Sequence, residues 1–220
     1  MHPKPENTQE SVTYAAKSEK RNFSPEEVKI IMREIGVPLR YIEAKKGDID
    51  AFTWDKTLPY RSGEKEGLFI HGKAGTGKTH VAVALIQARL LKVKANHEIH
   101  ESADVDKPDM VFISMVDLLL EIKACFREGA EVSEEAVIDK YTNIPYLTID
   151  DLGAEKTTDW VLQTLHTIID RRYRNMQKTV ITSNLTLEEI ASKIGDRIAS
   201  RIVGMCRVIE LKGKDRRLGK

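Results

Sequence analysis

The chain has 220 residues, 41% hydrophobic and 31% charged, with a formal net charge of +1. That length suits one domain with a real core, and the even charge excludes a global pull toward nucleic acid, so any DNA contact must come from a local patch. No apolar run approaches the ~18 residues of a membrane span, MHPKPENTQE lacks a signal peptide's apolar core, and Cys125 and Cys206 stand apart with no CxxC pattern, as expected of reduced thiols in the cytoplasm.

Residues 1–22 are polar and aperiodic and read as a flexible tail. Residues 23–66 read as a short N-terminal helix and a linker entering the core. The helix is SPEEVKIIMREI (24–35): Ser24 caps it, Pro25 takes the first turn, two glutamates favour its positive end, and Gly36 stops it. Residues 45–66 are mixed and loop-like, with KKGD and SGEKEG as turn signals. From residue 67 to 220 the pattern alternates. Strands are expected at 67–71, 110–115, 145–150, 178–184 and 206–211. Helices are expected at 80–91, 116–129, 133–143, 158–175, 185–195 and 196–204, with a polar loop over 93–109. Alternating strands and helices imply an α/β fold, a parallel sheet with helices on both faces.

The turn after the first strand is GKAGTGKT, a full match to GxxxxGK[ST]. Its residues Gly72, Lys73, Ala74, Gly75, Thr76, Gly77, Lys78 and Thr79, with the adjoining His80, are the expected ATP-binding loop. Glycines let successive backbone N–H groups converge on phosphate, and the following helix adds its positive end. Lys78 suits the β- and γ-phosphates, and the Thr79 hydroxyl suits Mg²⁺.

The strand YLTID ends in Asp150 and Asp151, two adjacent carboxylates that need something positive. Asp150 is expected to hold Mg²⁺ through its water shell. Regular strand alternation would send Asp151 to the opposite face, free to orient or deprotonate the attacking water. Asp151 is one methylene shorter than a glutamate, which limits its reach to that water, and Glu155 is an alternative base. Asn184, ending the fourth strand, is a candidate phosphate sensor or a cap of the next helix. Arg197 and Arg201 share one helical face. They read either as a solvated basic face or as the source of an arginine reaching a neighbour's nucleotide. Arg216 and Arg217 read as a basic tail, a nucleic-acid contact or a further phosphate sensor.

GKAGTGKTH, TIDDLGAEK, the RRY…TSNL segment and GDRIASRI before a strand and KDRR, in that order, resemble the AAA+ ATPases of the DnaC/DnaI helicase-loader and IstB group over roughly residues 36–217. The resemblance implies a five-stranded sheet in the order 5-1-4-3-2. It implies metal and water roles for Asp150 and Asp151, sensor 1 at Asn184, an arginine finger at Arg201 and sensor 2 at Arg217, with Arg216 as the other choice. It implies ATP and Mg²⁺ as cofactors, homo-oligomers with ATP sites between subunits, a replicative DNA helicase as partner, and single-stranded DNA beneath it. Loaders usually carry a substantial N-terminal domain, whereas the residues ahead of GVPLRY (36–41) in this sequence are expected to form a single helix over 24–35, and the two cysteines make no cysteine-rich zinc module. An IstB-like helper of a DNA transposase, and an adaptor that binds ATP with little turnover, are the competing readings.

For DNA, DRRYRNMQK (170–178) sets Arg171, Arg172, Arg174 and Lys178 around Tyr173, with Lys140 and Lys156 as further surface candidates. The competing reading is the basic end of an amphipathic helix whose Tyr173 packs inward.

Overall fold

A computed structural model describes residues 23–96, 109–154 and 156–216. The proposed tail over 1–22, most of the polar loop over 93–109, Glu155 and Arg217 lie outside the described residues. Five strands, β1 (Gly67–His71), β2 (Met110–Ser114), β3 (Tyr146–Leu152), β4 (Lys178–Ser183) and β5 (Cys206–Glu210), form one parallel sheet in the order β2-β3-β4-β1-β5. This is the expected order read from its other edge. Leu68, Phe69 and Ile70 are consecutive and fully buried, as in a strand covered on both faces.

Those strand residues alternate between two apolar clusters. Leu68, Ile70, Val180 and Ile209 meet α4 (Lys78–Asn96). Phe69, Ile149 and Ile181 meet the opposite layer of helices. That layer contains α5 (Met115–Ala124), α6 (Glu134–Asn143), α7 (Asp159–Arg174), α8 (Leu187–Ile194) and α9 (Asp196–Met205). Loss of the repeating apolar face after Ile122 ends α5 well before Gly129.

The N-terminal segment belongs to the same body. Ser24 and Glu27 form the capping box of α1 (Pro25–Glu34), and Val28 and Met32 pack with Val83, Ile86 and Phe112. Gly36 is obligatory where the chain leaves α1. Its φ is +96°, and an added Cβ would lie 2.3 Å from the Phe112 carbonyl oxygen. Residues 45–66 are more ordered than their composition suggests. Asp50 caps α2 (Ala51–Lys56), and α3 (Leu58–Ser62) follows. Each is too short to show an apolar period; Trp54, buried against Val81 and Leu85 with the Arg61 guanidinium 4.7 Å from its ring, anchors them.

Arg172 overturns its reading as a DNA contact. It is fully buried. Nε donates to Thr179 Oγ1 (2.9 Å), Nη1 to the carbonyls of Tyr141 (2.9 Å) and Ile144 (2.8 Å), and Nη2 to that of Lys178 (2.7 Å). These acceptors come from the end of α6 and the start of β4, so the guanidinium ties three elements together. Burial pulls its pKa down to about 10, which leaves it charged at neutral pH. Its neighbours are also engaged. Arg171 pairs with Asp139 (2.7 Å), Arg174 with Asp170 (2.9 Å), and Lys140 with Glu121 (2.8 Å). Lys178 Nζ donates to the Lys65 carbonyl (3.1 Å). Arg171, Arg172 and Arg174 occupy the last turn of α7, where the helix-end reading puts them.

Candidate nucleotide site

β1 delivers the chain to the glycine-rich loop at the sheet's C-terminal edge, and α4 begins at Lys78. Gly75 and Gly77 have φ of +76° and +100°, which lets the backbone curl as the motif requires. Thr76 closes the loop from within, its hydroxyl donating to the Lys73 carbonyl (2.9 Å).

Lys78 is 7% exposed. Its Nζ donates to the carbonyls of Gly72 and Lys73 (both 2.9 Å) and to Asn184 Oδ1 (2.7 Å). The other end of the same amide, Asn184 Nδ2, donates to Asp151 Oδ1 (2.8 Å). One side chain thus bridges the loop lysine and the second acid. Asn184 does not cap α8; Thr186 does, in a capping box with Glu189. The first acid has separate partners. Thr79 Oγ1 lies 3.0 and 3.1 Å from the two Asp150 oxygens, and Thr182 Oγ1 donates to Asp150 Oδ1 at 2.6 Å. Burial pushes the Asp150 carboxyl above its usual range, opposed by the hydrogen bonds from Thr182 and Thr79.

The two acids diverge, but not by regular alternation. Between Ile149 and Leu152 β3 carries one more residue than β4 opposite it, a β-bulge, and Asp151 sits there in the left-handed region at φ +62°. The Asp151 N–H donates to Thr182 Oγ1 (2.9 Å). Thr182 therefore serves both acids, receiving from the backbone of one and donating to the carboxylate of the other. Sequence reasoning passed over Thr182; the available signal was its place two residues before Asn184, on the same strand face.

The remaining named residues spread outward. His80 Nε2 lies 3.1 Å from Asp48 Oδ2. A hollow of about 460 Å³ opens beside the loop, with Thr76, Gly77 and Val81 on one side, Ile49 and Phe52 on another, and Arg216 at its edge. The Arg216 N–H donates to the Gly75 carbonyl (3.1 Å), and its guanidinium lies over Gly77. Arg201 is not brought to this chain's own loop. Its Nε donates to Asp170 Oδ1 (2.8 Å) and its guanidinium lies 4.8 Å from the centre of the Tyr173 ring. Among the described residues no helix is long and apolar enough to cross a membrane.

With this geometry in view, the chain was compared with known proteins. It is 25% identical over 171 residues to the replicative helicase loader DnaC of Escherichia coli K12, covering 78% of this chain and 57% of that relative. It is 30% identical over 151 residues to the uncharacterized protein YqaM of Bacillus subtilis, covering 66% of this chain and 42% of YqaM. The chain therefore spans about half the length of these curated relatives. A crystal structure of the DnaC helicase loader superposes with a TM-score of 0.61 at 26% identity, covering 80% of this chain and 100% of the other. The replication initiator DnaA, bound to AMPPCP and single-stranded DNA, has a TM-score of 0.61 at 16% identity over 81% of this chain and 52% of its own, which bears on the fold alone. The family model of IstB-like ATP binding proteins matches residues 57–220, from the start of α3 through the whole sheet. On that match the chain belongs to the IstB-like ATP-binding family, in the DnaC/IstB group of AAA+ proteins.

Proposed function

We propose that this chain hydrolyses ATP in sites completed by a neighbouring copy, and that the cycle helps place a ring-shaped replicative helicase on single-stranded DNA. The observation that carries the chemical part is the bridge from Lys78 through Asn184 to Asp151, set beside the separate Asp150–Thr79 pair. In this reading the loop from Gly72 to Thr79 wraps the phosphates with backbone N–H groups, and Lys78 leaves its carbonyl partners for the β- and γ-phosphates. The base occupies the hollow between Phe52 and Val81, with His80 and Arg216 at its rim and Arg217 as the alternative second sensor.

The residues present fit a magnesium ion. Asp150 and Thr79 offer hard oxygens, and among the described residues no group of three His, Cys, Asp or Glu side chains would compete for a softer metal. Thr79 and Asp150 would hold Mg²⁺, which would supply positive charge to offset that of the phosphates. Asn184 orients the attacking water, and Asp151 takes its proton as the water oxygen bonds to the γ-phosphorus. The bond from that phosphorus to the bridging oxygen breaks, giving ADP and phosphate. Arg201 of a neighbouring copy stabilises the charge that develops.

The partner assignment rests on similarity to a protein named as a replicative helicase loader. Membership of the IstB-like ATP-binding family keeps a second reading in play, the helper of a DNA transposase that the sequence resemblance also implies. ATP turnover measured with and without single-stranded DNA, followed by affinity capture from the host, tests both parts. Turnover with a captured helicase is expected. A captured transposase replaces the first partner with the second, and absent turnover despite tight ATP binding leaves an adaptor.

A further inference from the structure

The α7–α9 face holds a cluster outside the phosphate loop. Asp170, Tyr173 and Arg174 lie on one face of α7, three and four residues apart, opposite Arg201 on α9. Asp170 is 15% exposed and divides its two oxygens: Oδ1 accepts from Arg201 Nε at 2.8 Å, and Oδ2 from Arg174 Nε at 2.9 Å. Tyr173 lies against the Arg201 guanidinium. Gly204 leaves room for that ring, since an added Cβ there would stand 2.8 Å from Tyr173 Cε2.

The grip on Arg201 is one-sided. Only Nε is used, and its terminal Nη1 and Nη2 have no hydrogen-bond partner among the described residues. They border an open hollow of about 460 Å³ shared with Arg197, Ser200 and His166. A latch that sequestered this arginine would take its terminal fork, which is the edge that recognises carboxylate and phosphate in a two-point contact. Holding the root and leaving the tips free fixes direction and reduces the freedom lost on meeting an anion. The Arg201 hydrogen bond holds the Asp170 carboxyl below its usual range, so the grip persists across ordinary working pH.

We infer that Asp170 is a positioning residue: with Tyr173 it presents the terminal nitrogens of Arg201, in advance of assembly, to the nucleotide phosphate bound by a second copy of this chain. The inference rests on the reading that Arg201 acts in trans. Its test is ATP turnover of full-length chains as a function of protein concentration, for Asp170→Asn, Arg201→Ala and Arg174→Ala. Asp170→Asn should lower kcat by about 10- to 100-fold, the scale of a misaimed group, with KM for ATP unchanged. Arg174→Ala, which removes only the other partner of Asp170, should stay within about twofold of the parent, as for an exposed ion pair. Asp170→Glu, keeping the charge but displaced by one methylene, should fall between.

Mixing provides the readout that a folding defect would not mimic. Chains carrying Asp151→Asn keep Asp170 and Arg201 and lack the base. Added to Asp170→Asn chains, they should restore turnover at mixed sites. Normal kcat in Asp170→Asn alongside a defective Arg201→Ala overturns the positioning role and leaves the trans reading standing. Normal kcat in Arg201→Ala overturns the trans reading itself. A defect in Asp170→Asn that raises KM and is not rescued by mixing assigns Asp170 a structural role and also ends the inference.

Discussion

Two polar clusters on this chain are built on opposite plans. At the strand ends, Lys78, Asp150 and Asp151 are each held by other members of the same cluster: carbonyls, two threonine hydroxyls and the Asn184 amide. Across α7 and α9 the partners stop short, and the tips of Arg201 stay open beside a hollow. The closed cluster stores its groups in place until a ligand exchanges for the internal partners. The open cluster has a direction but nothing within the described chain to meet it. That difference is what two halves of a shared site would require, one half preorganised for nucleotide and the other for a neighbour.

The largest expected effect tests whether the closed cluster is chemical. Asp151→Asn keeps the shape and removes the base, so ATP turnover should drop about 10²–10⁴-fold while nucleotide binding persists. Turnover near the parent's would reduce the cluster to a scaffold and break the contrast. Next comes Arg172→Met, which strands the carbonyls at the end of α6 and should cost about 3 kcal/mol in urea unfolding. Because Arg172 anchors α7 from its inner face, the α9 cluster should loosen before the phosphate loop does, readable as faster amide exchange at α7 and α9.

Gly204→Ala sharpens the open half alone. The new methyl must displace the Tyr173 ring, with an expected loss of about 1–2 kcal/mol. The accompanying fall in kcat should leave ATP affinity unchanged; weakened ATP binding would mean that the halves are not separable. Last is Thr182→Val, which removes two hydrogen bonds, from the Asp151 N–H and to Asp150, at about 1 kcal/mol each. Its direction is more informative than its size. Burial raises the Asp150 pKa, and the Thr182 hydroxyl opposes that rise. Magnesium-dependent nucleotide binding needs the charged carboxylate, so it should fade on acidification at a higher pH than for an exposed aspartate. In Thr182→Val that acid limb moves higher still. For the free protein the sign is reversed. The native state holds the extra proton between the unfolded and folded pKa values, so stability contributed by Asp150 declines as pH rises through that window. An acid limb that is the same in both proteins would separate Asp150 from the metal.

The fold was legible where one signal sufficed. Continuous apolar runs such as GLFIH announce strands buried on both faces, and GKAGTGKT between a strand and a helix announces the loop. The divergence of Asp150 and Asp151 was anticipated for an incomplete reason: alternation suggested it, whereas a bulge and a left-handed Asp151 produce it. A bulge depends on the partner strand's register, which β3's own residues do not display. Arg172 was unreadable for a similar reason. A basic residue at a helix end ordinarily faces water, and here it turns inward only because α6 and β4 supply carbonyls from distant sequence. The two short helices before β1 carry too few turns for any period; a single tryptophan decides their place. Asn184 left cap and sensor open, and the presence of Thr186 as the cap leaves its amide to Lys78 and Asp151.

The extra residue in β3 sets regularity against chemistry. Removing Asp151 would let the strand run in step with β4 and relieve the left-handed backbone. The resulting sheet would be more uniform, with the same apolar interior, and would still clasp a nucleotide through its glycine loop. It would also have lost the carboxylate that accepts from Asn184. Under the proposed chemistry, such a shortening would yield a folded protein that binds nucleotide and does not hydrolyse it.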